Sequence, residues 1–185
     1  MKKTKTLLED CYEIELDVFG DNRGWFMESY SEETFKALDL NYRFIQDNHS
    51  YSSVNGTLRG LHLQKEPYSQ AKLIRCIRGI IFDVAVDLRK ESPTYKKWVA
   101  VELSEENKKM FLIPRGFAHG FLTLTPDVEV QYKVDNLYSK ESEIGFSWND
   151  PDIKVDWGIE NPVLSEKDAN APKFIEIEHQ LIKHK

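Results

Sequence analysis

Short segments of the 185-residue chain either alternate apolar with polar residues or run apolar for the length of a strand. They are Tyr12 to Val18, Gly24 to Tyr30, Thr57 to Gln64, Ala71 to Ile77, Ile80 to Leu88, Trp98 to Leu103, Met110 to Ile113, His119 to Leu124 and Val128 to Val134. A period of two puts successive side chains on opposite faces of a sheet, so these segments predict a mainly β protein. Turn chemistry separates them, as in Val54-Asn55-Gly56, Arg78-Gly79, Glu91-Ser92-Pro93 and Thr125-Pro126-Asp127, at spacings that suit antiparallel hairpins of a sandwich or barrel. Ser31 to Leu38 opens on a capping serine and two glutamates, and predicts one short helix. Strand signals fade beyond Trp157. The segment from about residue 158 is therefore expected to lie over the barrel as a loop or helical tail, with His179 to Lys185 fraying, within a single domain spanning 1–185.

Four polar residues interrupt this pattern inside apolar strands: His62 in LRGLHLQ, Lys72 in AKLIRCI, His119 in GFAHGFL and Tyr132 in VEVQYKV. Alternation groups Tyr132 with Val128, Val130 and Val134, so its phenol points into the core or a cavity within it. Taken alone, any one of them is better read as structural, a tyrosine or a core histidine satisfied by a backbone carbonyl. Four together point to a polar-lined cavity, because each buried polar group needs a partner.

Composition narrows the partners. A 41% hydrophobic content can furnish a core, and the formal charge of −6 with pI near 5.4 supplies no basic field for nucleic acid. Leu7 and Leu8 run directly into Glu9 and Asp10, leaving no apolar stretch for export, and no later run could span a bilayer. Cys11 and Cys76 are isolated thiols without a CxxC pairing, which fits a reduced, cytoplasmic protein.

Pro114-Arg115-Gly116-Phe117-Ala118-His119 has the PxGxxH spacing of the second cupin motif and so resembles that family of β-barrels. The resemblance implies a double-stranded β-helix, or jelly roll, with a few short helices. Metal-binding cupins add an HxH pair and a glutamate. Here Gln64 takes the second histidine's place after His62, and Lys72 stands where the glutamate would be. A lysine repels a divalent ion, so no metal is expected and acid–base chemistry remains.

Further motifs are more specific. DNRGWFMESY from Asp21, QDN at Gln46, LRGLHLQ, FDVAVDLR, IPRGFAHGF, YKVDNLYS, the WNDPDI run at Trp148 and LSEKDANAP from Leu164 appear together. In this order the chain resembles the dTDP-4-dehydrorhamnose 3,5-epimerases from about Asp21 to Pro172. The resemblance implies inversion of the two carbons flanking a 4-keto group in a dTDP-6-deoxyhexose. It assigns His62 as base, Asp168 as the carboxylate that orients it, Tyr132 as acid, and Lys72 as the cation for the enolate oxygen. No cofactor is implied, in keeping with dispersed glycines and no GxGxxG. Substrate contacts carried over are Arg23, Phe26, Glu28, Gln46, Asn48, Arg59, His119, Tyr138, Glu143 and Lys167. Arginines suit a diphosphate, and Phe26 or Tyr138 a flat base. The family also implies a homodimer.

Four questions stay open at this point. His119 is read either as a sugar contact or as a core histidine braced in its turn, and Asp83, among apolar residues, needs a partner that either Lys72 or His119 could supply. Strict alternation puts Arg59 on the face opposite His62, so a bulge at Gly60 or a reach around the rim is required. A single-centre epimerase, a 3,4-ketoisomerase and a non-catalytic ligand-binding cupin are the rival functions.

Overall fold

The computed structural model describes residues 1–181, and the expected fraying of the last residues falls, beyond Leu181, outside them. Among the described residues thirteen strands form: β1 Lys2–Lys5, β2 Tyr12–Glu15, β3 Val18–Asp21, β4 Gly24–Met27, β5 Gln46–Ser52, β6 Leu58–Gln64, β7 Lys72–Arg78, β8 Ile80–Asp87, β9 Trp98–Ser104, β10 Met110–Ile113, β11 Phe117–Thr123, β12 Val128–Val134 and β13 Glu143–Gly145. Helices are short: α1 Glu32–Ala37, α2 Glu166–Ala169 and α3 Phe174–Ile177, the last running into a 3-10 turn at Glu178–Gln180.

Two antiparallel sheets carry the fold, a six-stranded one ordered β1-β2-β10-β7-β12-β5 and a five-stranded one ordered β13-β6-β11-β8-β9. Between them Ile74, Cys76, Phe111, Val128 and Val130 of the larger sheet meet Ile81, Ala85, Val101, Phe117 and Phe121 of the smaller. This is the mainly β jelly roll expected. Each outer face is covered as well. Phe35 and Leu40, in and just after α1, pack with Ile14, Leu73, Met110 and Leu112, whereas Phe146, Trp157, Phe174 and Ile177 pack with Leu61, Val84, Val86 and Leu122. Burial on both faces explains why β11 reads as a nearly continuous apolar run, with every residue buried.

The predicted helix appears one residue inside its expected start, with Ser31 accepting from the Thr34 amide at 3.3 Å and Glu32 and Glu33 in its first turn. Three strands lack a sequence signal. β5 reads QDNHSYS, without apolar alternation, and is extended because it pairs with β12 along its whole length. β1 and β13 are likewise polar edge pieces recruited by β2 and β6. The segments expected at Tyr12 to Val18 and Gly24 to Tyr30 are partitioned differently. β2 ends at Glu15, and β3 pairs with β4 as a separate hairpin in which Phe19, Trp25 and Phe26 stand mostly in solvent.

At the end of β8, Asp87 is fully buried and accepts from the Arg89 amide and Nε at 3.0 Å, from Arg89 Nη2 at 2.9 Å, and from the Ser92 and Thr94 hydroxyls at 2.5 and 2.6 Å. Burial alone would raise its carboxyl, but these bonds outweigh it and hold the group below the ordinary carboxylate range. Replacing Asp87 with Ala should cost about 3 kcal/mol by taking the acceptor from the Arg89 amide and Nε and from two hydroxyls, with the Arg89 guanidinium left to Asp10 and the Glu9 carbonyl. It should lower the urea midpoint at unchanged slope, and an unshifted midpoint would show that solvent replaces the carboxylate here.

Candidate active site

The site is built on the pairing of β6 with β11. His62 lies opposite His119, and Arg59 lies opposite Phe121, so three steps on β6 match two on β11. This is a bulge at Gly60, one of the two solutions the sequence left open. Gly60 has φ +131°, and a Cβ there would sit 2.6 Å from the Gly120 Cα and 2.9 Å from the His119 carbonyl. Only glycine tolerates that backbone and that approach. The extra residue turns Arg59 and His62 to the same side. Gly145 on β13 makes room for the His62 ring, since a Cβ at that position would lie 2.9 Å from its Cδ2.

These strands, with β5, β7, β12 and the segment before α2, enclose a cavity of about 590 Å³. His62, Lys72, His119, Tyr132 and Asp168 line it, with Arg59, Gln46, Asn48, Tyr138, Glu143 and Lys167. His62 Nε2 is 2.6 Å from Asp168 Oδ1. An N–H donated there leaves Nδ1 as the basic nitrogen. Burial opposes the charge on Asp168, yet bonds from His62 and from Ser165, which also caps α2 through the Asp168 amide at 3.1 Å, keep its carboxyl below the usual range. Asp168 is thereby ready to stabilise an imidazolium.

Deeper in the barrel, His119 Nε2 is 2.7 Å from Asp83 Oδ1. His119 is therefore both cavity-lining and braced, and Asp83 has found its partner. Burial keeps the His119 ring neutral by lowering its pKa, against the pull of Asp83. Burial also pushes the Lys72 ammonium down to about 8, with Asp83 and Glu143 opposing the shift. The Tyr132 phenol is pushed upward by burial and so holds its proton well above neutrality.

At the mouth, Glu143 takes Lys167 Nζ at 2.6 Å and the Tyr138 hydroxyl at 3.2 Å. Gln46 donates to Asn48 at 2.9 Å and accepts from the Tyr138 amide at 3.2 Å, while Arg59 donates to the Ser52 hydroxyl at 3.1 Å and the Tyr51 carbonyl at 3.0 Å. Gln64, in the place of a metal-binding histidine, instead donates to the Tyr68 and Leu137 carbonyls and accepts from the Ser139 amide. Both ends of that amide are committed to holding the loop that carries Tyr138. Among the described residues no group of three or more His, Cys, Asp or Glu is placed to hold a metal.

With this geometry the comparisons with known proteins agree. The family model for dTDP-4-dehydrorhamnose 3,5-epimerase matches residues 5–176. The chain belongs to that family. It is 51% identical over 180 residues to the dTDP-4-dehydrorhamnose 3,5-epimerase of Shigella flexneri, covering 97% of this chain and 99% of that one. Among solved structures, the dTDP-6-deoxy-D-glucose-3,5-epimerase of Legionella pneumophila in complex with dTDP-4-keto-L-rhamnose is 41% identical with a TM-score of 0.93, covering 100% of this chain and 98% of that one. A 3'-monoepimerase from Streptomyces bikiniensis, solved with dTDP as a double variant with histidine changed to asparagine and tyrosine to phenylalanine, is 31% identical with a TM-score of 0.88, covering 97% and 92%.

Not every predicted contact of this epimerase lies in the cavity. Arg23, Phe26 and Glu28 belong to the β3–β4 hairpin and the segment after it. Arg23 forks onto Asp21 at 2.6 to 3.2 Å, Glu28 accepts from the Thr34 hydroxyl at 2.9 Å, and Phe26 is 69% exposed. Other lining residues went unnoticed in the sequence, among them Ser50, Thr57, Gln70, Phe121 and Ser165. Only Ser165 had a readable signal, the serine three residues before an acid that marks a capped helix start.

The bulge yields a test. Gly60→Ala should lower kcat/KM by ~10²-fold or more, because the added methyl must push β6 off Gly120 and move His62 by a fraction of an ångström or more. Steady-state kinetics on folded protein checks this, and near-normal activity would mean that the Gly60 approach does not fix the position of His62.

Proposed function

We propose that this epimerase inverts C3 and C5 of dTDP-4-dehydro-6-deoxy-D-glucose to give dTDP-4-dehydro-L-rhamnose, without a cofactor, on the route to dTDP-rhamnose. The carrying observation is that His62, backed by Asp168 at 2.6 Å, shares one cavity with Tyr132 and Lys72. Protons at C3 and C5 are acidic only because each carbon flanks the ketone. His62 takes the proton through Nδ1, the C–H electron pair moves into the ring, and the carbonyl oxygen becomes an enolate facing the Lys72 ammonium. Tyr132 then returns a proton to the opposite face, which inverts the centre, and exchange with solvent restores both groups. Every bond change is a proton transfer, so electrons balance without a redox partner.

Supporting this reading, the Streptomyces bikiniensis variant alters a histidine and a tyrosine set the same distance apart along the chain as His62 and Tyr132. That protein inverts one centre by its name, and a 3'-monoepimerase is accordingly the second reading. The tail from about residue 158 belongs to the same functional domain, since it supplies Asp168.

The nucleotide end would be held at the mouth by Arg59, Gln46, Asn48, Glu143 and Lys167, with Tyr138, half exposed, free to stack on the base. Arg23, Phe26 and Glu28 are proposed to reach the cavity of a second copy in a homodimer. Three exposed aromatic rings, Phe19, Trp25 and Phe26, on one small hairpin favour such burial. None of the described helices is long and apolar enough to cross a membrane, the free thiols of Cys11 and Cys76 favour a cytoplasmic enzyme, and the acidic composition favours one that does not bind nucleic acid.

Incubated with the 4-keto-6-deoxyglucose nucleotide in deuterated water, the enzyme should place deuterium at both C3 and C5. Label at C3 alone would establish the monoepimerase instead, and no label would end the epimerase reading. Tyr132→Phe should lose ~10²- to 10⁴-fold in turnover while still binding dTDP, measured by calorimetry. A non-catalytic binder would show no turnover to lose.

The pH dependence also has a defined sign. Lys72 is active as the cation, and its charge is lost as pH rises through about 8. Tyr132, pushed the other way by burial, stays protonated throughout that range. The alkaline limb of kcat/KM should therefore fall near pH 8 and move upward in Lys72→Arg if any activity survives. A profile flat to pH 10 would remove Lys72 from this role.

A further inference from the structure

Asp83 is a buried ionisable group that the mechanism above leaves without a task. It sits on β8, opposite Phe121 of β11 and Val101 of β9, and is completely removed from solvent. Oδ1 accepts from His119, but Oδ2 is buried with no hydrogen-bond partner. A carboxylate oxygen left bare in an apolar barrel is costly, and structures keep such a group where it serves a nearby charge.

The charges around the cavity floor identify which one. Lys72 on β7 lies within electrostatic reach of Asp83 on β8, Glu143 on β13 and His119 on β11, and it lines the cavity together with His62 on β6 and Tyr132 on β12. Of the three carboxylates in this group, Asp168 is bound to His62 and Glu143 to Lys167, the latter at 2.6 Å. Asp83 alone among them has a fully buried oxygen without a hydrogen-bond partner. Against burial, it is also the strongest influence holding the Lys72 proton on.

We propose that Asp83 is a positioning residue for the epimerisation, acting through two neighbours at once. Its Oδ2 is the counter-charge for the enolate-binding Lys72, and its Oδ1 fixes His119 with Nδ1 turned away as a bare acceptor for a sugar hydroxyl. A neutral His119 that donates Nε2–H to Asp83 has no proton on Nδ1, so it accepts and does not donate. Asp83 thereby ties the cation that meets the developing oxyanion to the imidazole beside it. This rests on the role given to Lys72 above.

Asp83→Asn separates the two tasks, because the amide oxygen can still accept from His119 while the charge is gone. The measurement is deuterium wash-in at C3 and C5 across pH 6 to 10, alongside dTDP binding. In the unmodified enzyme the alkaline limb belongs near pH 8. In Asp83→Asn it should move down by roughly one unit, giving about a tenfold slower exchange above the limb, with recovery toward acid pH and unchanged dTDP affinity. A loss that is uniform with pH, with the limb in place, would reduce Asp83 to a structural residue and overturn the proposal. If Asp83→Asn does not fold, Asp83→Glu keeps the charge and should keep the limb while slowing exchange through a displaced His119. A limb that moved downward in that variant would overturn it equally. Absence of exchange or of an alkaline limb in the unmodified enzyme would instead defeat the reading of the reaction or of Lys72, a separate outcome.

Discussion

The close passage of β6 over β11 at Gly60 and Gly120 is the constraint from which the rest of the site follows. A regular strand cannot aim residues three apart at one cavity, and side chains at the crossing would hold the two backbones apart. Gly60 with φ +131° adds the extra step, and Gly120 is equally crowded, since a Cβ there would lie 2.8 Å from the Arg59 carbonyl. His62 and His119 then stand side by side as a cross-strand pair, each backed by its own carboxylate, while Arg59 joins them from the same strand. Stiff antiparallel pairing on both flanks of the bulge turns a local backbone feature into a fixed spacing between His62, His119 and Arg59.

Desolvation does the chemical tuning within that frame. The same apolar walls that stabilise the jelly roll lower the pKa values of Lys72 and His119 and raise that of Tyr132, in each case favouring the neutral form. A neutral His119 and a protonated Tyr132 are useful as they stand. Lys72 is different, because its cation is the form proposed to meet the enolate, and burial has moved it to within reach of neutral pH. A depressed lysine also has less hydration to lose when the enolate forms, which is the condition under which a fixed charge stabilises an oxyanion best. The cavity therefore trades lysine basicity for electrostatic strength, and the compensating carboxylates limit how far that trade goes.

The legible parts of this molecule were those in which side-chain burial follows a period. β6 to β12, apart from their end residues, and α1 follow directly from apolar alternation and a serine cap, and His62, Lys72, His119 and Tyr132 announced themselves as polar residues in apolar strands. β5 was illegible because its order comes from pairing with β12, a long-range property that no local pattern carries. The hairpin β3–β4 misled for the opposite reason. Its apolar residues look like core but are exposed, so hydrophobicity there signals a surface for contact. Asp168 was reachable only through family resemblance, since a carboxylate in a polar tail has no periodicity to mark it, and the resemblance also placed Arg23, Phe26 and Glu28 at a site that the single chain does not bring them to.

Asp168 also shows why the tail cannot be separated from the chemistry. His62 acquires its carboxylate partner from α2, a single turn that would not persist alone in water. What holds α2 is tertiary: Val163 bridges to Thr57 just before β6, Ser165 caps the turn, and Phe174 of α3 is fully buried against Phe146 with its amide bonded to Asp150 at 2.7 Å. Phe146 in turn bonds back to the Leu61 carbonyl, one residue from His62. Docking of the tail and completion of the His62–Asp168 pair are thus a single packing event on the outer face of the five-stranded sheet. Loosening that packing would weaken the His62–Asp168 pair before it unfolded the barrel, because the inner core between the sheets draws nothing from residues beyond Tyr132.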